Sequence, residues 1–246
     1  MTTSKQGEQH LCSLLFETTS DYNENLQTLL TLIKQCPKNS FIVAPEVSLT
    51  GFDYDNFDAV LAFAPRATQA LLEACEEKTL FLTLIEKEGD GVVNRLKVFH
   101  SGQIIHQRAK AKLFRFGGEH NYFREGDASD VAIFQSQGIK IGVLVCFELR
   151  FKELWQTLEG CDLIVIPAWW GKARAEHFKT LTKALAILNQ CYVLYSDSKN
   201  EECTQESGII TPQGEAFTNG NTACLCRSYS KKEIALMRRY MDVGIG

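Results

Sequence analysis

The sequence predicts one α/β domain in which layered β-sheets are covered by helices on the outside. Short apolar, β-branched runs alternate with stretches whose apolar residues recur at helical spacing. Apolar runs at 92–100 and 103–108 flank Ser101-Gly102, which is the pattern of a β-hairpin inserted in the middle of the chain. No linker, internal repeat or low-complexity segment interrupts the chain, so we expect residues 1–246 to form a single domain.

The first part of the chain is predicted to alternate between strands and helices. Apolar runs at 11–16, 41–44 and 80–85 predict three strands. Between them, apolar residues at helical spacing predict helices over 26–33 and 66–78. This alternating order is typical of α/β folds, in which helices connect the strands of a sheet.

The second part repeats this alternation after a long polar loop over 115–130. A loop of that length inside a compact domain is usually functional. The predicted elements that follow are strands at 131–134, 139–145 and 161–168, a helix at 173–190, a strand at 192–195, a closing hairpin at 208–228 and a C-terminal helical tail.

The turn at Cys146 is the most informative point of the sequence. The apolar run at 139–145 stops there, and Phe151, Leu154, Trp155 and Leu158 then recur at helical spacing. A thiol at such a turn would lie near the positive end of a helix and could use a free backbone N–H such as that of Phe147. These conditions activate a nucleophile, although a cysteine is also commonly a small buried apolar residue.

Composition limits the possible partners and compartments. The net charge of −4 is spread along the chain without a basic block, so we expect a small neutral or weakly charged ligand and no nucleic acid or anionic membrane. No apolar segment is long enough to span a membrane, and the first residues do not have the pattern of a signal peptide. We therefore expect a cytoplasmic protein.

Cysteine usage predicts reduced thiols. The nine cysteines are odd in number and lie mostly in apolar runs, which does not suggest a disulfide framework. Cys224 and Cys226 are close in sequence, but no second Cys or His pair follows at zinc spacing. The sequence thus predicts neither a metal site nor a cofactor.

Three ionisable residues, Glu46, Lys110 and Cys146, each end an apolar strand, which is where α/β folds gather catalytic groups. A carboxylate beside a thiol can remove its proton, and a nearby ammonium can stabilise the thiolate and the oxyanion formed on attack. Taken singly, a lysine such as Lys110 is more often a solvated surface charge, and a glutamate such as Glu46 is more often a capping or surface carboxylate. An alternative Cys-His arrangement would use His120 or His177, from the polar loop and a predicted helix start.

Three motifs resemble the nitrilase, or carbon-nitrogen hydrolase, superfamily, and the match extends from about residue 11 to about residue 215. The motifs are Pro45-Glu46-Val-Ser-Leu-Thr-Gly-Phe, Lys110-Ala-Lys-Leu-Phe and Cys146-Phe-Glu-Leu-Arg-Phe-Lys-Glu. This resemblance implies a four-layer αββα sandwich that commonly forms dimers. It also implies Glu46 as general base, Lys110 as oxyanion stabiliser, Cys146 as nucleophile and Glu119 as a second glutamate beside the lysine.

The sequence departs from the family pattern at several positions. Glu148 stands where aspartate is usual, Lys152 replaces the usual proline, and Leu185 and Leu188 occupy positions where amidase-type members tend to carry Arg and Glu. None of these departures falls on the proposed catalytic residues. They bear instead on substrate choice and on contacts between subunits.

Among functions, the resemblance favours a thiol amidohydrolase that acts on a small linear amide or carbamoyl compound. The segment Pro167-Ala-Trp-Trp, which places Trp169 and Trp170 at a strand end, resembles the ω-amidase-like branch. The alternatives are an N-carbamoyl-β-alanine amidohydrolase, a nitrilase, or a non-catalytic binding module on the same fold. We expect a homodimer or higher homo-oligomer that buries apolar residues, namely Phe151, Trp155, Met237 and Tyr240.

Overall fold

Two mixed six-stranded sheets form the centre of the protein in the computed structural model, which describes residues 7–245. The strands are β1 (His10–Leu14), β2 (Ser40–Val43), β3 (Thr79–Glu88), β4 (Gly91–His100), β5 (Gln103–Ala109), β6 (Phe134–Ser136), β7 (Ile139–Val143), β8 (Leu163–Pro167), β9 (Tyr192–Ser196), β10 (Gly208–Ile210), β11 (Ala216–Thr218) and β12 (Cys224–Ser228). The helices are α1 (Tyr22–Gln35), α2 (Phe57–Ala74), α3 (Lys152–Thr157), α4 (Ala175–Asn189) and α5 (Lys231–Tyr240).

The two sheets have the same internal plan. One sheet has the order β12-β1-β2-β3-β4-β5 and the other has the order β11-β10-β9-β8-β7-β6. In the first sheet β1, β2 and β3 are parallel, and in the second β7, β8 and β9 are parallel, while the outer strands are antiparallel. The carboxyl ends of parallel strands form a common edge, where α/β folds usually place their functional groups.

Side chains of the first sheet point alternately into two different hydrophobic cores, one on each face of the sheet. Phe41, Val43 and Phe81 point into the core between the two sheets, whereas Ile42 and Leu80 point towards the helices on the outer face. Because both faces are buried, β2 and the first seven residues of β3 are mostly apolar and do not alternate with exposed polar residues. The apolar runs of the sequence therefore mark strands that are covered on both sides.

Helices cover the outer faces of the sandwich. The side chain of Asp21 caps α1 by accepting the backbone N–H groups of Asn23 and Glu24, and the apolar face of α1 packs with α2 over the first sheet. Helix α4 packs against β9 and β10 of the second sheet. The predicted α/β sandwich with outer helices is confirmed, and residues 1–6 and 246 lie outside the described part.

The predicted helix directly after Cys146 is wrong in detail. A short 3₁₀ segment, Cys146–Arg150, comes first, and only then does the short helix α3 begin. Cys146 has a φ of 45°, which is incompatible with a right-handed α-helix. The thiol therefore lies on a tight turn and not directly at the positive end of an α-helix, as the sequence had predicted.

Helix α2 begins earlier than predicted, at Phe57 instead of residue 66, and contains Pro65. A proline inside a helix removes one backbone hydrogen bond, which is why the spacing alone favoured a start after it. Burial of Val60, Phe63 and Ala64 against the first sheet and its loops extends the helix through the proline. Packing thus outweighs the local propensity at this position.

Two expectations about side chains are also corrected. The structure joins Cys12 and Cys226 by a disulfide, so the prediction that all cysteines are reduced is wrong for this pair. Met237, which was expected to lie on an exposed apolar surface, is buried, whereas Tyr240 is exposed. Within residues 7–245, no helix has the length and apolar character that are needed to cross a membrane.

Candidate active site

The predicted residues Glu46, Lys110 and Cys146 meet at the carboxyl ends of β2, β5 and β7. Glu46 follows β2, and its backbone N–H donates to the carbonyl of Ala168 at 3.1 Å, which ties it to the end of β8. Cys146 follows β7, and its Sγ lies 3.5 Å from the carbonyl oxygen of Trp169. The two sheets therefore contribute one carboxylate and one thiol to the same place.

Lys110 is fully buried between two carboxylates. Its Nζ lies 2.8 Å from Glu46 Oε1 and 2.7 Å from Glu119 Oε1. Asn94 Nδ2 donates to the same Glu46 oxygen at 2.7 Å, and the backbone N–H of Phe114 donates to Glu119 Oε2 at 3.0 Å. A buried ammonium with two carboxylate partners is held in one position, as an electrostatic catalytic group must be.

The second oxygen of Glu46 has a different environment. Oε2 is buried and has no partner in hydrogen-bond geometry among residues 7–245. The Cys146 thiol nevertheless lies close enough for its interaction with the carboxylate to act on the pKa of Glu46. A buried carboxylate oxygen that lacks a partner beside a thiol is suited to accept the proton of that thiol.

Both strand ends that form the site have unusual backbone conformations. Cys146 has a φ of 45°, and Val47, directly after Glu46, has a φ of 43°. Positive φ is costly for a β-branched residue, and such strain persists only where surrounding contacts hold it. Thr83 Oγ1 accepts the N–H of Val47 at 2.8 Å and supplies one of those contacts.

Burial dominates the acid–base behaviour of the cluster. Burial and then the negative charge of Glu46 raise the pKa of the Cys146 thiol well above its ordinary value, although Lys110 opposes them. Burial also raises the pKa of Glu46, again against the effect of Lys110. For Lys110 burial acts to lower the pKa, but Glu46 and Glu119 outweigh it and raise the pKa. Before substrate binds, Cys146 is therefore a thiol next to its candidate base Glu46, and Lys110 is positively charged.

Cys146 opens onto two adjoining parts of a pocket. One part is lined by Phe147, Trp170 and Arg150, and the other by Glu119 together with aromatic residues such as Tyr54. Phe114, Trp169, Gly171 and Arg174 line both parts. Of the predicted site residues, Cys146, Phe147, Trp169, Trp170 and Glu119 therefore line this pocket. Glu46 and Lys110 are fully buried and do not line it, but Lys110 joins Glu46 to Glu119.

The two histidines of the alternative prediction lie elsewhere. His120 and His177 are exposed, and neither contacts the thiol of Cys146. His177 Nδ1 instead lies 3.1 Å from Nη2 of Arg150. A Cys-His arrangement is thus not formed in the described structure, and the carboxyl group that influences the pKa of the thiol most strongly is that of Glu46.

Comparison with known families agrees with this geometry. The model of the family described as carbon-nitrogen hydrolase matches residues 3–223. The chain belongs to the carbon-nitrogen hydrolase family. As a member of this family, it is a hydrolase that acts on carbon–nitrogen bonds other than peptide bonds.

Relatives of this carbon-nitrogen hydrolase include two named amidases. The chain is 30% identical over 211 residues to 2-oxoglutaramate amidase of Bacillus subtilis, covering 80% of each chain. It is 29% identical over 207 residues to omega-amidase YafV of Escherichia coli K12, covering 82% of this chain and 80% of that one.

Solved structures of the superfamily share the fold. XC1258 from Xanthomonas campestris superposes with a TM-score of 0.83 at 20% identity, covering 96% of both chains. Saccharomyces cerevisiae Nit3 superposes with a TM-score of 0.83 at 20% identity, covering 96% of this chain and 95% of that chain. The nitrilase-type sandwich that the sequence motifs implied is therefore confirmed for this hydrolase.

Several residues in or around the active site of this hydrolase were not predicted from the sequence. Asn94 carries no sequence signal, because it lies inside a strand whose neighbours are apolar and charged. Tyr54 and Arg174 reach the pocket from loops, whose side-chain directions are not encoded in spacing. Glu148 was noticed only as a departure from the family pattern, and the structure gives it a partner in Arg108.

Proposed function

We propose that this hydrolase is an ω-amidase, which releases ammonia from the terminal amide of a short dicarboxylic acid monoamide through a thioester on Cys146. The observation that carries the proposal is the meeting of the Cys146 thiol and a buried Glu46 at neighbouring strand ends, with Lys110 holding Glu46 in place and one Glu46 oxygen left without a partner within residues 7–245. The names of the relatives support the substrate class. No cofactor or metal takes part in this proposed reaction.

In the proposed first half-reaction, Glu46 takes the proton of the Cys146 thiol while the sulfur bonds to the amide carbon. The carbonyl oxygen becomes an oxyanion, which Lys110 and the N–H of Phe147 stabilise. The C–N bond then breaks, and Glu46 returns the proton to the nitrogen, so that ammonia leaves and an acyl-thioester remains. Burial raises the pKa of Glu46, which favours both steps: uptake of the proton from the thiol and its return to the leaving nitrogen.

In the proposed second half-reaction, water cleaves the thioester. Glu46 takes one proton from water as the water oxygen bonds to the acyl carbon. The C–S bond then breaks to give the free acid. The proton then returns to the sulfur, and the thiol is restored. Glu119, which holds Lys110 from the opposite side of the ammonium, has its second oxygen fixed by the N–H of Phe114 and acts mainly as a support in this scheme.

Two arginines in the pocket support a substrate that carries a second, ionised carboxyl group. Arg150 lies over the ring of Trp170 at 4.8 Å, and Arg174 lies over the ring of Phe114 at 5.1 Å. Neither arginine forms an ion pair within the described residues, and burial together with the charge of Arg174 lowers the pKa of Arg150. A substrate carboxylate would accept charge-assisted hydrogen bonds from these guanidinium groups and offset part of their positive charge.

An ammonia-release screen tests this proposal. It compares ω-amides of C4 and C5 dicarboxylic acids, N-carbamoyl-β-alanine, uncharged aliphatic amides and aliphatic nitriles. We expect the ω-amides to be the best substrates. Preferred release of ammonia from N-carbamoyl-β-alanine would favour the carbamoylase alternative, and no release from any compound would favour a binding module.

Variants of the pocket arginines provide a second and more specific test of the substrate class. Arg174→Leu should raise the KM for an ω-amide acid by on the order of tenfold, since one charge-assisted hydrogen bond is lost, and should leave the KM for an uncharged amide nearly unchanged. Lys172→Leu, at an exposed position two residues away, is the matched control and should change neither value. Equal effects of Arg174→Leu on both substrates would contradict a carboxylate-binding role.

We also propose that the enzyme is cytoplasmic and forms a homodimer through the face of α4 and α5. The exposed Leu188 on α4 and the exposed Val243 just after α5 lie beside the partly buried Trp155 of α3. Large exposed apolar side chains that lie close together are typical of contact surfaces. Sedimentation equilibrium should give a dimer at micromolar concentration, and a monomer under those conditions would contradict the proposal.

A further inference from the structure

A cluster of four cysteines lies outside the active site, on the outer face of the first sheet. It consists of Cys12 on β1, Cys36 directly after α1, and Cys224 and Cys226 on β12. All four sulfurs lie within 4.8 Å of one another. The proposed hydrolysis uses none of them.

The fold explains how residues so distant in sequence meet. Cys12 and Cys226 face each other directly in the antiparallel register of β1 and β12. Cys224 and Cys226 are two residues apart on one strand, so their side chains point to the same face. Helix α1 packs on that face, and its C-terminal end brings Cys36 against Cys224.

We propose that these four cysteines form a zinc site in the reduced protein. Four thiolates are a common ligand set for structural zinc, and a tetrahedral site with Zn–S distances of about 2.3 Å places the sulfurs about 3.8 Å apart. The sulfurs of Cys36 and Cys224 are 3.6 Å apart, and those of Cys224 and Cys226 are 3.5 Å apart. Two edges of the required tetrahedron are thus present within a few tenths of an ångström.

The surroundings suit a metal thiolate centre. Cys12 and Cys36 are buried and Cys224 and Cys226 are partly exposed, so one side of the cluster is closed and the other gives an ion a path from solvent. The ammonium of Lys78 lies near Cys36, where its positive charge offsets part of the negative charge of the thiolates. The hydroxyl of Ser40 lies 3.6 Å from the sulfur of Cys12 and can orient that ligand.

The disulfide between Cys12 and Cys226 and the metal site exclude each other. The disulfide uses two of the sulfurs and leaves Cys36 and Cys224 as free thiols beside it, whereas a single zinc ion would be bound by all four sulfurs. A phosphine opens the disulfide: it takes oxygen from water and becomes a phosphine oxide, while each sulfur gains one electron and one proton. Binding of Zn²⁺ then releases the thiol protons to the buffer.

A zinc ion at this place would connect three elements. Within residues 7–245, β12 is an edge strand with β1 as its single strand neighbour, and α1 reaches the site through its last turn. The ion would fasten the edge strand and the helix to β1. We therefore expect reduced protein without zinc to unfold at a lower temperature than the zinc-bound form.

Metal analysis of the full-length protein tests the proposal. The protein is reduced with a phosphine under anaerobic conditions, its free thiols are counted, Zn²⁺ is added, and unbound metal is removed before zinc is measured by mass spectrometry. We expect about one zinc ion per chain. Cys36→Ala and Cys224→Ala should each lower zinc retention on the order of tenfold or more.

Two controls separate this site from other thiols. Cys75→Ala removes a buried cysteine near the same helices but outside the cluster, and Cys146→Ala removes the proposed nucleophile, so both should bind as much zinc as the wild type. Cobalt bound to the wild-type protein should show the visible absorption of a tetrahedral thiolate site, which does not depend on any variant folding.

Three outcomes would overturn the proposal. They are a disulfide that persists after reduction, fully reduced wild-type protein that binds neither zinc nor cobalt, and equal zinc retention in Cys36→Ala, Cys224→Ala and the controls. Because none of these measurements involves turnover, their failure is distinct from failure of the proposed amidase function.

Discussion

Two buried ionic clusters lie side by side at the end of β5, and they differ in whether every carboxylate oxygen has a hydrogen-bond partner. In the first, Arg108 forms a forked pair with Glu148, with N···O distances of 2.7 and 2.5 Å, and also donates to the carbonyl of Val143 at 2.9 Å. In the second, Lys110 bonds to Glu46 and Glu119, and one oxygen of Glu46 lacks a hydrogen-bond partner within the described residues.

The Arg108 cluster has every carboxylate oxygen engaged. Besides the arginine, Glu148 accepts the N–H of Ala111 at 2.6 Å and the N–H of Val145 at 2.7 Å. These contacts fix the turn that precedes Cys146 and the segment that carries Lys110. The comparison indicates that the saturated pair supports the site, whereas the unsaturated one has an oxygen available for proton transfer.

Replacement of the nucleophile should give the largest effect in this comparison. Cys146→Ala should abolish ammonia release, because no thioester can form, and should leave the fold and the oligomeric state unchanged, because the side chain is small. Ammonia assays and circular dichroism measure the two properties. Wild-type-like turnover in this variant would rule out Cys146 as the nucleophile.

Removal of the buried ammonium should reduce turnover on the order of a hundredfold or more. Lys110→Met removes the charge that the proposal assigns to oxyanion stabilisation, and Lys110→Arg should not restore the rate because the planar guanidinium does not fit between Glu46 and Glu119. The kcat of each variant is measured with the best substrate. Wild-type-like activity of Lys110→Met would contradict the proposed role.

Lys110→Met should also change the pH dependence of stability. Without the lysine, no positive charge opposes the effect of burial on Glu46, so the pKa of this carboxyl group in the folded state rises further above that in the unfolded state. The folded variant then binds more protons, and its free energy of unfolding falls as the pH rises through neutrality. Denaturant unfolding at acidic and neutral pH should show this loss in the variant and a smaller one in the wild type.

Breaking the saturated pair should affect stability more than chemistry. Arg108→Met leaves Glu148 buried without its ionic partner, which typically costs about 3–5 kcal/mol. The kcat of the protein that remains folded should fall less than in Lys110→Met. Denaturant unfolding and active-site titration separate the two effects, and a stable but inactive Arg108→Met would reverse the assignment of the two clusters.

The pH profile of the wild type should show the smallest of these effects. Burial raises the pKa of Glu46, so kcat/KM should fall on the acid side through a pKa above the ordinary carboxyl value of 4.5. Lys110 keeps its charge beyond its ordinary pKa of 10.5, so it should cause no loss on the basic side below that pH. An acid limb at or below 4.5 would contradict a buried general base.

Much of this arrangement was readable from the sequence. Each of Glu46, Lys110 and Cys146 follows an apolar run, and strands buried on both faces give such runs a clear signal. The ends of these apolar runs therefore predicted the position of the site. The order of strands and helices predicted the α/β sandwich. The family motifs added the roles that we propose for these residues and for Glu119.

What the sequence did not reveal depends on long-range packing. The pairing of Arg108 with Glu148 joins residues 40 positions apart, and the four cysteines come from both ends of the chain. No local spacing encodes such contacts, because they are set by strand order and register. The positive φ of Cys146 likewise depends on the contacts around the turn rather than on its own sequence.

The most direct test of the account is intact-mass spectrometry of two glutamate variants incubated with an ω-amide substrate. Glu119→Gln retains Glu46, so Cys146 should still be acylated while turnover is slow, and the protein should gain the mass of one acyl group. Glu46→Gln lacks the base, so it should show no adduct. An acyl adduct in Glu46→Gln, or its absence from Glu119→Gln together with normal turnover, would contradict the assignment of Glu46 as the group that activates Cys146.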